Sequence, residues 1–112
     1  MSRDERERLR DIRDAIGAVR EHLTRADIEG GDAADPLLHD ALLFQFVVIG
    51  EAVKNLQPET RDSQPDIPWA DIAGLRDLIA HEYFRIELAR VLEIVERDLP
   101  ALERAIDRLL EE

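Results

Sequence analysis

Pro36-Leu37-Leu38-His39-Asp40-Ala41-Leu42-Leu43-Phe44-Gln45-Phe46-Val47-Val48-Ile49-Gly50-Glu51-Ala52-Val53-Lys54-Asn55-Leu56 is the most apolar segment of the chain, and its reading decides the fold. Asp35 before Pro36 reads as an N-cap followed by proline at the first helical position, where a missing N–H costs no hydrogen bond. Behind that start, apolar residues cover far more of a helical surface than one stripe. Such width implies burial on more than one side, so the segment is expected to be the central helix, with the surplus serving as a face for a second copy of the chain. Gly50 costs roughly 1 kcal/mol of helix stability relative to alanine and permits a close helix contact in return. Beside it, Glu51 reads either as a surface carboxylate or as a side chain turned toward a pocket.

Outward from this segment the pattern stays helical. Leu9, Ile12, Ile16, Val19, Leu23 and Ala26 alternate steps of three and four, which predicts an amphipathic helix from Arg3 to about Asp27 with a solvated face of Arg, Asp and Glu. Glu29-Gly30-Gly31-Asp32 is expected to end it. Gln57 to Ile67, with Pro58 and Pro65, reads as a connection holding one short turn around Glu59-Thr60-Arg61. Pro68-Trp69 opens a third helix, on which Trp69, Ile72, Ala73, Arg76, Ala80 and Tyr83 share one side. From Ile86, apolar positions again follow three-four steps until Pro100 interrupts the hydrogen-bond ladder, predicting one helix to about Asp98 and a shorter one from Leu99 to Leu110. No alternating strand pattern competes. The expected fold is all-α: one domain over residues 1–112, an antiparallel up-down bundle of four main helices whose C-terminal helix is split.

Composition narrows the function. The formal charge of −11 disfavours a protein that coats nucleic acid through a broad basic surface, so any RNA chemistry needs a local positive pocket, for which Arg76, Arg85 and Arg61 are the candidates. The absence of cysteine excludes disulfides and thiolate metal sites and fits a reducing cytoplasm. The charged N-terminus shows no secretory signal, and no apolar run is expected to span a membrane. His22, His39 and His81 have no ligand spacing, so neither a metal nor another cofactor is expected.

Chemistry concentrates in Arg76-Asp77-Leu78-Ile79-Ala80-His81-Glu82-Tyr83. Arginine keeps its charge and presents a planar fork suited to phosphate, while histidine exchanges a proton near neutrality. RNA carries its own nucleophile, the 2′-hydroxyl, so cleavage without a metal requires only a base for that proton and a cation for the charge growing on phosphorus. His81 and Arg76 suit those two roles. Asp77, four residues before His81, is placed to hold the imidazole. Tyr83 offers a hydroxyl that can touch a base or accept a modification. Residues five apart on a helix are rotated by about 140°, so Arg76 and His81 meet only if the helix bends near Ala80 or a second copy completes the pocket. A competing structural role for Arg76 is an ion pair inside the protein, with Glu51 as the candidate carboxylate.

The run Ile67-Pro68-Trp69, then Ile72-Ala73-Gly74-Leu75-Arg76-Asp77 and His81-Glu82-Tyr83-Phe84, preceded by Ile49-Gly50-Glu51-Ala52-Val53, resembles the HepT-like toxins of the HEPN superfamily. The resemblance implies an RNase toxin of a type VII toxin–antitoxin system. It also implies an Arg-x4-His-x-Tyr motif and a homodimer, open to higher assembly, with its composite site between subunits. By position, Arg76 and His81 would be the catalytic pair, Asp77 the polar residue after the arginine, and Tyr83 the residue adenylylated by a cognate MntA-like minimal nucleotidyltransferase. Two readings stand side by side: a metal-independent endoribonuclease, or a non-catalytic helical dimerisation module that docks a nucleotidyltransferase.

Overall fold

The computed structural model describes residues 1–28 and 35–111, the side chain of Ile28 excepted; the turn expected at Glu29–Asp32 lies outside the described residues. Six α-helices follow in order: α1 (Arg3–Ile28), α2 (Pro36–Lys54), α3 (Pro58–Asp62), α4 (Trp69–Glu82), α5 (Leu88–Arg97) and α6 (Leu99–Glu111), with a 3-10 turn at Tyr83–Arg85. Among the described residues there is no strand, and the all-α bundle with its split C-terminal helix is as expected.

The helix ends follow local chemistry. Ser2 Oγ accepts the Glu5 N–H at 3.1 Å to open α1, and the Asp35 carboxylate accepts the Leu37 N–H at 3.0 Å to open α2. α2 stops at Lys54 rather than Leu56, closed by Asn55, whose Nδ2 donates to the Glu51 carbonyl at 2.9 Å. Pro100 falls in the first turn of α6, where no intrahelical N–H partner is needed, so the break between α5 and α6 sits just before it.

α2 is the centre of the bundle, flanked by α1 on one side and α4 on the other; α6 packs on α1, and α5 on α6. Leu9, Ile12, Ile16 and Val19 of α1 meet Leu42, Leu43, Phe46, Ile49 and Val53 of α2 and Leu102, Ile106 and Leu109 of α6 in one buried core. α2 does have the length and apolar content of a membrane-crossing helix, contrary to the expectation that no segment would, but that apolar surface is what a core helix packed on two sides requires. The surplus is real: Leu37 and Phe44 remain 79% and 64% exposed, an apolar face that α1 and α4 leave uncovered.

The connection to α4 is fastened rather than loose. Trp69 is buried, and its Nε1–H is shared between the carbonyls of Arg61 at 3.0 Å and Gln64 at 2.9 Å. The buried carboxylate of Glu5 accepts from the Gln57 N–H at 2.7 Å and the Thr60 hydroxyl at 2.8 Å, tying α3 to α1. These contacts set where α4 begins and therefore where its polar face emerges.

Candidate active site

The site is built at the crossing of α2 and α4. A Cβ on Gly50 would lie 3.1 Å from the Arg76 nitrogen and 3.2 Å from the Ile72 carbonyl oxygen, so the absent side chain is what lets the two helices approach. Arg76 leaves this contact pointing outward. Its Nε is 2.9 Å from Glu51 Oε2, and the two side chains are 44% and 48% exposed. The expected pairing with Glu51 is present, but the expectation of an inward-aimed arginine is corrected. Although Arg76 shares a side with buried Trp69, the long stem carries its charge past Gly50 into solvent. An ion pair so exposed contributes about 0–1 kcal/mol and yields readily to another anion. The terminal guanidinium nitrogens have no protein partner among the described residues.

Two open grooves meet at Arg76. The larger, about 670 Å³, is walled by Asp40, Phe44 and Val47 of α2 and by Asp77, Ala80 and Tyr83 opposite. The smaller, about 440 Å³, runs past Glu51, Asn55, Arg8 and Asp11. Neither includes Arg61 or Arg85, the other cations considered from the sequence.

α4 runs as one helix from Trp69 through Ala80 to Glu82, without a break between Arg76 and His81. His81 consequently lies away from the Arg76 groove, exposed. Within one chain no hydrogen bond or ion pair joins it to Asp77. Arg76, Asp77 and Tyr83 share one groove, Glu51 borders the next, and His81 stands apart.

After Glu82 the backbone tightens into the 3-10 turn, which two consecutive residues of α2 hold down. His39 Nε2 donates to the Ile86 carbonyl at 2.7 Å, an assignment that follows because a carbonyl only accepts. The Tyr83 hydroxyl donates to Asp40 Oδ1, and the His39 and Tyr83 rings form a T-shaped pair with centroids 6.0 Å apart. The hydrogen bond to Asp40, with lesser contributions from desolvation and from the carboxylate's charge, raises the Tyr83 pKa above its usual 10.0. Sequence reasoning missed both Asp40 and the role of His39. Their one local signal was a polar pair interrupting the apolar run of α2, which by itself names no partner 43 or 47 residues away. Among the described residues no group of three or more His, Asp or Glu side chains is arranged to hold a metal ion.

The sequence model of the family described as ribonuclease HepT-like matches residues 12–109. A Methanocaldococcus jannaschii protein named as both a gamma-glutamylcyclotransferase and a candidate RNase is 33% identical over 112 residues, all of this chain and 50% of that protein. The chain thus spans half the length of that relative. A candidate RNase of Caldanaerobacter subterraneus subsp. tengcongensis is 39% identical over 77 residues, 69% of each chain. From Thermococcus cleftensis, a "Probable ribonuclease HepT" is 30% identical over 109 residues, 97% of this chain and 98% of its own. No solved structure matches significantly.

Proposed function

This chain belongs to the ribonuclease HepT-like family, and on that premise we propose that it is a metal-independent endoribonuclease whose site is completed by a second copy of itself. The observation that carries the reading is the unbroken α4. It leaves Arg76 in an open groove with its terminal nitrogens free, and His81 off that groove. Arg76 of one protomer and His81 of the other would then flank the substrate. His81 takes the 2′-hydroxyl proton as that oxygen attacks phosphorus; Arg76 stabilises the phosphorane; the bond from phosphorus to the 5′-oxygen breaks, that oxygen takes a proton from water, and a 2′,3′-cyclic phosphate is left. The exposed Leu37 and Phe44 supply apolar surface for the pairing. With a net charge of −11, the protein attracts RNA only locally, which suits a site that grips one phosphate rather than a long strand.

The same reading assigns the chain to a toxin–antitoxin pair. A cognate minimal nucleotidyltransferase silences it by adenylylating Tyr83, which puts a phosphodiester anion and an adenosine into the groove that Arg76 lines.

Complementation between variants tests the composite site. Arg76→Ala and His81→Ala each lose at least about a hundredfold in RNA cleavage. Mixed after subunit exchange, they recover about a quarter of wild-type activity, because half the dimers are mixed and each of those holds one intact site. No recovery, with mixed dimers shown by mass, rules out a shared site. Full activity in either single variant rules out the mechanism and leaves the docking-module reading, in which the Arg76–Glu51 pair is purely structural.

A further inference from the structure

We propose that Asp40 is the positioning and proton-accepting residue for nucleotidyl transfer to Tyr83. The inference rests on the reading of Tyr83 as the modified residue and concerns a group to which that reading assigns nothing.

Three observations converge on it. Tyr83 is the sole tyrosine of the chain, half-buried on the wall of the larger groove, and its hydroxyl proton is already directed at Asp40 Oδ1. Asp40 is fixed on rigid α2, and the neighbouring His39 clamps the backbone just after the tyrosine by its 2.7 Å bond to Ile86. The hydroxyl therefore has a carboxylate partner in place, at a site that solvent and a nucleotide can still reach. Across the same groove stands Arg76, its Nε paired with Glu51 and its terminal guanidinium nitrogens able to meet a phosphate, and at about 670 Å³ the groove is of nucleotide-binding size.

The chemistry balances on these groups. Tyr83 Oη attacks the α-phosphorus of a nucleoside triphosphate presented by the transferase, and the Oη–H proton passes to Asp40 Oδ1. The bond from the α-phosphorus to its bridging oxygen breaks, pyrophosphate leaves, and Asp40 releases the proton to water. A phenol held above its usual ionisation range supplies almost no free phenolate at neutral pH, so a base in contact matters more here than for an exposed tyrosine. Once modified, Tyr83 has no proton to donate, and its phosphodiester faces the Asp40 carboxylate as a like charge. The nucleotide is thereby driven from Asp40 toward Arg76, which places the block on the cation that RNA needs.

The test uses the full chain with its cognate nucleotidyltransferase, ATP and Mg²⁺, and follows intact mass with time. Asp40→Asn keeps size and an acceptor but removes the base; Asp40→Glu keeps the base on a longer stem; circular dichroism and thermal midpoint verify folding of each. Asp40→Asn is expected to slow modification about a hundredfold, and Asp40→Glu to restore part of the loss. The ratio of wild-type to Asp40→Asn rates should shrink by about tenfold per pH unit above neutrality, as hydroxide replaces the missing base. Equal rates, or a ratio independent of pH, overturn the assignment of Asp40 while leaving Tyr83 as the target. An unmodified wild-type chain overturns both.

Discussion

Replacing Gly50 with alanine places a methyl group 3.1 Å from the Arg76 nitrogen, 3.2 Å from the Ile72 carbonyl oxygen and 3.3 Å from Arg76 Cβ. Two of those atoms are backbone, so relief requires α2 and α4 to separate by a few tenths of an ångström. Overpacking of this kind costs about 1–3 kcal/mol. Alanine returns about 1 kcal/mol of helix propensity. The balance is a destabilisation of about 0–2 kcal/mol; at its midpoint of about 1 kcal/mol, a domain of this size melts about 4 °C lower. Such a loss leaves nearly every molecule folded at 25 °C. Any fall in kcat/KM beyond it therefore reports displaced geometry. Since two of the three crowded atoms belong to Arg76, a shift of a fraction of the ~1 Å that costs about a hundredfold should lower RNA cleavage by roughly three- to tenfold. Differential scanning calorimetry and a fluorogenic RNA substrate measure the two effects. A variant that melts about 4 °C higher with full cleavage would refute the reasoning, showing that propensity acts unopposed and that the crossing does not set Arg76.

Glu51→Gln removes the carboxylate paired with Arg76, which under the proposed mechanism competes with the RNA phosphate. Because the pair is half-exposed, stability should change by less than about 1 kcal/mol while KM for RNA falls; a raised KM would show that Glu51 orients the guanidinium instead of competing for its ligand. Tyr83, being the only tyrosine, can be titrated by phenolate absorbance, with a midpoint expected above 10.0 that moves down in Asp40→Asn; an unmoved midpoint would deny the hydrogen bond. The sign follows from linkage. The folded state favours the neutral phenol, so the contribution to stability is whole below the unfolded tyrosine's value and is lost as pH rises through the raised folded one.

The helices were legible because their signals are local. Asp35-Pro36 starts α2, Pro100 marks the break before α6, and the three-four spacing from Leu9 to Val19 predicts the buried face of α1; each acts through bonds or contacts within a few residues. The motif was legible for the same reason, since Arg76, Asp77, His81 and Tyr83 lie within eight residues of one another. What they face was not. Whether Arg76 points into the core or past Gly50 into solvent depends on how α4 crosses α2, and the hydroxyl of Tyr83 meets Asp40 only because a 3-10 turn folds back across 43 residues of chain. By itself, then, the sequence determined where α2 begins and where α5 gives way to α6, the apolar excess of α2 and the residue types available for chemistry. Tertiary structure decided the partners of those residues and set His81 apart from Arg76, because one continuous helix turns them to different sides and only packing between helices selects what each side meets.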